Sequence, residues 1–390
     1  MKDTKGDRHI LHLISVNYVK DKGNMDKHHY VTPTARAPVA DPNLLRPDWT
    51  LGVPRKPNLL WLDKNENNDP ELAEVVRRVL AEIPIESLYC YPESGPLYRK
   101  LAARLGVGPE NLLLSAGSDG AIRSAFEAYI APGDVVLHTQ PTFAMYFVYS
   151  KMYGAFEKNL VYQPSVEGPV LDAAAVVQAI EEFRPKMVCL PNPDSPTGTV
   201  FSLDDLKTII EGAGNAGALL LIDEAYYPFH EKTVLPWVLD YPHLMVTRST
   251  GKAWGLAGFR LGLAAAGPEV VMCLHKVRPM YEVNTVAVAV MEKMLDHEDE
   301  MIASVERLEK GKRFFLGAMS NLGFRVLRGQ GNFLHVAFGV HAEAIHKALS
   351  NMVYYRRDFN DPCLEGFSRF SSTTTEQFKP VIDRIAQIVS

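Results

Sequence analysis

Two apolar runs, each followed directly by polar residues, lie within residues 219–260, LLLIDEAYYPFHEKTVLPWVLDYPHLMVTRSTGKAWGLAGFR. The runs Leu219–Ile222 and Leu244–Thr247 have the length and continuous apolar character of strands that are buried on both faces. Asp223 follows the first run, and the loop after the second carries Lys252 among small residues. Lysine normally lies on a solvated surface, so its place in such a loop is unusual. The pattern predicts a ligand site at the carboxyl ends of neighbouring parallel strands.

Further apolar runs and amphipathic segments alternate around this stretch. Asp69 is placed as the N-cap of one helix, and Ser202 with Asp205 is placed as a capping box for another. Alternating strands and helices predict an α/β fold with a mostly parallel sheet that helices cover on both faces. The predicted elements are strands at Val135–His138 and Met187–Leu190, and helices at Pro70–Ile83, Ala121–Ile130, Ala173–Phe183 and Leu203–Ala213.

The sequence changes character near residue 290. A long charged helix is predicted over Glu292–Asn321, and short strands alternate with helices from there to the C-terminus. We therefore predict an N-terminal arm at residues 1–57, a large domain at 58–290 and a smaller α+β domain at 291–390, to which the arm also contributes.

Composition and charge limit the partners that the chain can have. A formal net charge of −5 over 390 residues argues against a nucleic-acid surface, which would need a basic excess. The four cysteines are scattered without a C-x-x-C pair, so neither a disulfide framework nor a metal site is predicted. No run approaches the roughly 20 apolar residues of a membrane span, and we expect a cytoplasmic protein without membrane partners.

Six short motifs occur in an order that is similar to that of one group of enzymes. They are Gly117-Ser118-Asp119, Pro141-Thr142-Phe143, NPDSPTG from Asn192, DEAY from Asp223, STGK from Ser249, and Arg260 eight residues after the lysine. Together they resemble the fold-type I pyridoxal-phosphate enzymes of the class I/II aminotransferase superfamily, above all the histidinol-phosphate aminotransferase group. The resemblance runs from about Leu62 to the C-terminus, and it implies pyridoxal 5′-phosphate as the cofactor.

The resemblance also implies a role for each matching residue. Lys252 would form a Schiff base with the cofactor aldehyde and then move the substrate proton. Asp223 would keep the ring nitrogen protonated, and Tyr226 would hydrogen-bond the ring 3′-oxygen. The other cofactor contacts that the resemblance implies are Tyr91 (from a partner subunit), Ser118, Asp119, Phe143, Asn192, Ser195, Ser249 and Arg260.

Substrate contacts are implied for residues outside the central motifs. Arg369 matches the arginine that holds the substrate α-carboxylate. Asn65 lies in an element of the form L-x-x-N-E, although a solvated loop explains it nearly as well. Arg356 or Arg357 binds a substrate phosphate, binds another polar group, or faces solvent. The group's active sites are shared between subunits, which implies a homodimer.

Three departures from the group's pattern bear on the reaction. Ser195 stands where the group has an asparagine that donates to the ring 3′-oxygen, Gly251 where it has a serine, and Gly120 where it has a glutamate. None of them removes Lys252 or Asp223. A weaker donor at the 3′-oxygen changes the tilt of the ring, and the tilt decides which bond at Cα breaks.

The predicted function is therefore a pyridoxal-phosphate-dependent aminotransferase that acts on a small amino acid. It would transfer the amino group to a 2-oxo acid in a ping-pong reaction through Lys252. The alternative on the same fold is a decarboxylase, or an elimination, replacement or cyclisation enzyme of amino-acid or specialised metabolism.

Overall fold

The computed structural model describes residues 33–45 and 53–389, so most of the arm predicted at residues 1–57 lies outside the described residues. The helices there are α1 (Ala37–Ala40), α2 (Pro70–Ala81), α3 (Gly95–Leu105), α4 (Gly117–Tyr129), α5 (Met145–Tyr153), α6 (Ala173–Phe183), α7 (Leu203–Ala216), α8 (Pro268–Val277), α9 (Thr285–Met294), α10 (Glu298–Asn321), α11 (Ala342–Leu349) and α12 (Thr375–Val389). The strands are β1 (Leu60–Trp61), β2 (Leu112–Ser115), β3 (Val135–Gln140), β4 (Phe156–Val161), β5 (Met187–Pro191), β6 (Leu219–Asp223), β7 (Leu244–Ser249), β8 (Gly262–Ala266), β9 (Arg325–Leu327), β10 (Phe333–Ala337), β11 (Val353–Tyr354) and β12 (Phe367–Ser371). No helix in these ranges is both long and apolar enough to span a membrane.

A seven-stranded sheet in the order β2-β8-β7-β6-β5-β3-β4 forms the larger part of the molecule. Its strands are parallel except β8, which runs antiparallel to both of its neighbours. Along β6, Leu220 and Ile222 pack into one apolar cluster, and Leu219 and Leu221 pack into another. The two clusters lie on opposite faces because successive side chains of a strand point in opposite directions. The predicted α/β fold is confirmed.

The helix ends that the sequence indicated are also present. Asp69 accepts a hydrogen bond from the Glu71 N–H at the start of α2. Ser202 and Asp205 form the predicted capping box at the start of α7. Each cap satisfies N–H groups that have no partner within the first turn of a helix.

The long helix predicted over Glu292–Asn321 is wrong in its first part. The helix α9 ends at Met294, and a short 3-10 turn over Leu295–His297 separates it from α10. The new helix begins with three acidic residues, Glu298, Asp299 and Glu300, where negative charge interacts favourably with the helix dipole. His297 has non-helical backbone angles there, and its ring nitrogen contacts Glu300 at 3.1 Å.

The smaller part of the molecule is built on the antiparallel sheet β12-β10-β9. Strand β1 pairs with β11, and Leu62 packs into the same apolar cluster as Phe315 and Phe370. The chain just after β1 is tied to β12, because the Ser371 N–H donates to the Leu62 carbonyl at 2.8 Å. We propose that the arm ends at residue 57 and that the large domain ends at residue 290. Residues 60–62 follow the arm in the sequence but pair with strands of the small domain.

A buried carboxylate, that of Asp194, links β3 to the loop that follows β5. It accepts hydrogen bonds from the hydroxyls of Thr139 at 2.8 Å and Thr197 at 3.0 Å. Burial raises the pKa of Asp194 to about 7, because the charged form loses its hydration. The native protein therefore holds this proton at pH values where the unfolded chain has released it.

We predict that Asp194→Asn removes a pH-dependent loss of stability. Between about pH 4 and pH 7 the native state binds more protons at position 194 than the unfolded state, so its contribution to stability falls as pH rises. Asparagine keeps the shape without titrating. Urea unfolding should be measured at a series of pH values. The free energy of unfolding of the variant should increase relative to that of the wild type from pH 4.5 to pH 7.5. A difference between the two proteins that does not change with pH would refute the assignment.

Candidate active site

Polar residues meet at the carboxyl ends of three adjacent strands of the large sheet. Strand β6 ends at Asp223, with Pro191 of β5 and Thr247 of β7 as its register partners. The Asn192 N–H donates to the Asp223 carbonyl at 2.9 Å, and the Glu224 N–H donates to the Thr247 carbonyl at the same distance. The ladder hydrogen bonds therefore fix the three strand ends relative to each other.

Asp223 is a buried carboxylate held by neutral donors. It accepts hydrogen bonds from the Thr247 hydroxyl at 2.8 Å and from the Ala225 N–H at 3.2 Å. No cation of the described residues forms an ion pair with it, and burial raises its pKa to about 6. A buried carboxylate without a counter-ion is costly, so the site is suited to a ligand that brings a positive charge.

Lys252 lies beside Tyr226 and the chain that follows β1. Its amine donates to the Lys64 carbonyl at 2.9 Å and lies 5.6 Å from the centre of the Tyr226 ring. The Tyr226 hydroxyl in turn accepts a hydrogen bond from the Asn65 side-chain amide at 2.9 Å. Asn65 is buried and has a left-handed backbone (φ 56°), so the solvated-loop interpretation of this residue is wrong.

Arg369 is the second buried charge of the site. It lies on β12, and only 8% of its surface is exposed. Its guanidinium donates to the Asp63 carbonyl at 3.0 Å and lies 5.6 Å from the Phe333 ring, which contacts Tyr226. Its Nε is buried without a hydrogen-bond partner among the described residues, and burial lowers its pKa to about 10. A guanidinium in this state fits an anion that arrives with a ligand.

The start of α4 and Arg260 form a cradle of positive character. Arg260 donates to the Ala116 carbonyl at 3.4 Å, and its backbone is left-handed (φ 55°). A side-chain carbon on Gly117 would lie 2.9 Å from its guanidinium, and one on Gly262 would lie 2.3 Å from the Ser118 nitrogen. Only glycine therefore allows these chains to approach so closely. Helix N–H groups and a guanidinium together suit a phosphate.

Two residues that the sequence motifs do not indicate support Asp223. The hydroxyl of the buried Tyr146 lies 3.4 Å from the Asp223 carboxylate, and Thr247 donates from the next strand. Phe143, a predicted cofactor contact, packs edge-on against Tyr146 with ring centres 5.7 Å apart. Thr247 could have been found from the strand register, since it is the polar residue opposite Asp223.

Four of the predicted site residues are exposed, only partly buried, or engaged in contacts within the chain. The Asn192 side-chain oxygen accepts from the Phe201 N–H at 2.8 Å, so only its amide nitrogen is left for a ligand. Ser195 is partly buried in the loop that contains Asp194. Arg356 stacks on Phe359 at 3.9 Å. Tyr91 is 72% exposed and stacks on Tyr281 of its own chain.

Gly251 fits tightly in the loop before Lys252. A side-chain carbon there would lie 3.1 Å from the Ala257 backbone and 3.3 Å from the Ser249 hydroxyl. That hydroxyl accepts a hydrogen bond from the Gly251 N–H at 3.1 Å. Ser249 thus remains the hydroxyl group at this end of β7, and a serine at 251 would require the loop to shift.

The residues present fit pyridoxal 5′-phosphate. Asp223, a buried acid without a counter-ion, suits the ring nitrogen. The helix N–H groups at the start of α4 and Arg260 suit the phosphate. Lys252, which lies between Asp223 and Arg260 in the sequence, has its amine beside the Tyr226 ring. Comparison with known proteins agrees. The family model described as aminotransferase class I and II matches residues 57–385.

Individual relatives match along most of their length. Histidinol-phosphate aminotransferase of Thermoanaerobacter sp. (strain X514) is 30% identical over 84% of this chain and 92% of the relative. The enzyme of the same name from Roseiflexus castenholzii is 31% identical over 87% of this chain and 91% of the relative. Among solved structures, histidinol-phosphate aminotransferase of Sinorhizobium meliloti in complex with pyridoxal-5′-phosphate shares the fold, with a TM-score of 0.72 at 20% identity over 85% of this chain and 90% of that one.

The match to the family covers far more than half of the chain, and it includes every strand of the large sheet. The alternative of a decarboxylase or elimination enzyme is not favoured by these relatives. The chain belongs to the aminotransferase class I and II family, and it is a pyridoxal-phosphate-dependent aminotransferase.

Proposed function

We propose that this enzyme moves an amino group between a small amine that carries a neighbouring anionic group and a 2-oxo acid. The observation that carries the proposal is the pair of buried side chains, Asp223 and Arg369, that have no counter-ion among the described residues. When bound, pyridoxal phosphate supplies a cationic ring that withdraws electrons from the amine-bearing carbon of the substrate. The protein's own residues then have to bind, orient and move a proton.

Each residue has a role that follows from its surroundings. Asp223, fixed by Thr247 and Ala225, would hold the positive charge of the ring nitrogen. Lys252, whose amine donates to the neutral Lys64 carbonyl beside Tyr226, would take the proton from the amine-bearing carbon and return it. Tyr226 and Ser195 would donate hydrogen bonds to the ring 3′-oxygen. Further cofactor contacts are proposed for Ser118, Asp119, Phe143, Asn192, Ser249 and Arg260.

The substrate's anionic group is proposed to bind between Arg369 and Arg356. These two residues are partners in an antiparallel bridge, with N–H to carbonyl distances of 2.8 and 3.0 Å. Directly opposite residues of antiparallel chains project to the same face, and the next residue projects to the other face. The bridge therefore supports Arg356, and not Arg357, as the second arginine of the proposed substrate site. Two guanidinium groups suit a phosphate monoester, as in the substrate that the relatives are named for, and also a carboxylate.

We propose a cytoplasmic enzyme that works as a homodimer. Exposed apolar side chains support the dimer, since such side chains are often covered in an interface. Tyr91 and Tyr281 are exposed and stack on each other, and the neighbouring residues Ile85, Leu88, Tyr89 and Met280 are also exposed.

We predict that the enzyme completes half of its reaction without an acceptor. Mixed with an amino donor alone, the bound cofactor should change its absorption to that of the amine form and recover when a 2-oxo acid is added. Lys252→Ala should slow this change by at least about 100-fold, because the proton transfer loses its base. Lys310→Ala, at an exposed lysine of α10, is the control. Product release with return of the original spectrum in the absence of acceptor would instead indicate a lyase.

We predict that Arg356→Leu raises the KM for histidinol phosphate by roughly 10-fold or more, the loss expected for a hydrogen bond to a charged group. Arg357→Leu, the matched control, should change KM by less than about twofold, because its side chain projects away from Arg369. Steady-state kinetics with histidinol phosphate and 2-oxoglutarate measure both. Equal effects of the two substitutions would remove Arg356 from the site.

We predict that Tyr91 serves the active site of the partner subunit. Lys252→Ala and Tyr91→Ala homodimers should each be defective. A mixed dimer, made by co-expressing both variants with different tags, contains one site with both native residues. It should recover up to half of the wild-type activity per dimer. If Tyr91 acted within its own subunit, both sites of the mixed dimer would remain defective and no activity would be gained.

A further inference from the structure

The carboxylate of Glu282 lies against the start of α4, the helix proposed to hold the cofactor phosphate. Glu282 is in the loop between α8 and α9, far from α4 in the sequence. One of its oxygens accepts a hydrogen bond from the Ala116 N–H at 3.0 Å. The same oxygen would lie 2.5 Å from a side-chain carbon on Gly120. The space beside Gly120 is thus filled by Glu282.

The start of α4 lacks the capping that its own residues could provide. Ala116 is the N-cap residue and has no side-chain oxygen. In a capping box, an acidic residue three positions later accepts a hydrogen bond from the N-cap N–H. Asp119 stands at that position, but its carboxylate accepts from the Tyr149 hydroxyl at 2.9 Å. Glu282 supplies the missing acceptor from another part of the chain.

Ala116 is consequently held through both of the peptide groups that it joins. Glu282 accepts from the Ala116 N–H, and Arg260 donates to the Ala116 carbonyl at 3.4 Å. Ala116 leads directly into Gly117 and Ser118, whose backbone forms the proposed phosphate cradle. The orientation of these two peptide groups sets where the free N–H groups of the helix point, and small errors in such positions weaken ligand binding.

We propose that Glu282 is a positioning residue for the cofactor phosphate, and that Gly120 is the small residue that leaves room for its carboxylate. This inference rests on the proposed phosphate site at Ser118, Asp119 and Arg260. Gly120 and Glu282 form a matched pair, because a side chain at 120 would begin 2.5 Å from the Glu282 oxygen that accepts from the Ala116 N–H. A single carboxylate, from either position, satisfies the helix start.

The test compares the binding of pyridoxal phosphate and of pyridoxal, which lacks the phosphate, to the cofactor-free enzyme by absorbance titration. Glu282→Ala should weaken the binding of pyridoxal phosphate about tenfold, as expected for the loss of a hydrogen bond to a charged acceptor. Its affinity for pyridoxal should stay within about twofold of the wild type. Glu282→Gln keeps the acceptor oxygen and should stay within about threefold for both ligands. Glu182→Ala, at an exposed residue of α6, is the control.

Two further variants test the pairing. Gly120→Glu alone should weaken the binding of pyridoxal phosphate at least as much as Glu282→Ala, because two carboxylates then meet in one space. The double variant Gly120→Glu/Glu282→Ala should recover most of the lost affinity. A general loss of stability would lower the affinity for both ligands in every variant, and recovery in the double variant would not occur.

Arg260→Ala distinguishes failure of the inference from failure of the proposed site. If this variant loses no preference for pyridoxal phosphate over pyridoxal, the phosphate site is elsewhere and the inference falls with it. If Arg260→Ala does lose that preference while Glu282→Ala keeps it, or if the double variant binds no better than Gly120→Glu, only the role of Glu282 is refuted.

Discussion

The structure depends on two buried side chains of opposite charge, Asp223 and Arg369, that do not form an ion pair with each other. Asp223 belongs to the large sheet and is held by a hydroxyl and an N–H group, whereas Arg369 belongs to the small sheet and is held by a backbone carbonyl. Burial raises the pKa of Asp223 and lowers the pKa of Arg369, so each shift favours the neutral form of the side chain. The protein alone therefore stabilises neither charge fully. In the proposed function, the cationic ring of the cofactor relieves the cost at Asp223, and the anionic group of the substrate relieves the cost at Arg369. The energy for binding therefore resides in groups that folding has already brought into place and left without a counter-ion.

The topology explains how residues so far apart in the sequence come to lie at one site. Parallel strands bring their carboxyl ends to one edge, and this gathers Asp223, Ser249 and the loop after β5. The segment after β1 crosses from the small domain and brings Asn65 to Tyr226. Asn65 and Arg260 both have left-handed backbones, which are rare outside glycine and concentrate at functional sites, where the surrounding structure holds them.

The sequence was informative where a residue's role depends on its own strand or loop. Continuous apolar runs such as Leu219–Ile222 can be recognised without a structure. The same is true of Lys252, which lies between a glycine and an alanine. The sequence does not show contacts between segments that are far apart along the chain. Tyr146 reaches Asp223 only because α5 packs on the sheet, and Asn65 looks like a loop residue until β12 covers it. The sequence does not predict the break between α9 and α10, because apolar residues lie on both sides of it, and only the acidic first turn of α10 indicates a new start.

Two of the departures from the motif pattern are glycines at places where other parts of the chain come close. A side-chain carbon on Gly251 would lie 3.1 Å from the Ala257 backbone, and the Gly251 N–H donates to the Ser249 hydroxyl. A side-chain carbon on Gly120 would lie 2.5 Å from the Glu282 carboxylate, which accepts from the Ala116 N–H. Both close approaches join segments that are separated along the chain or by a turn, so a motif read along the sequence cannot show them. The folded structure shows that the larger residue at each position would need its surroundings to move.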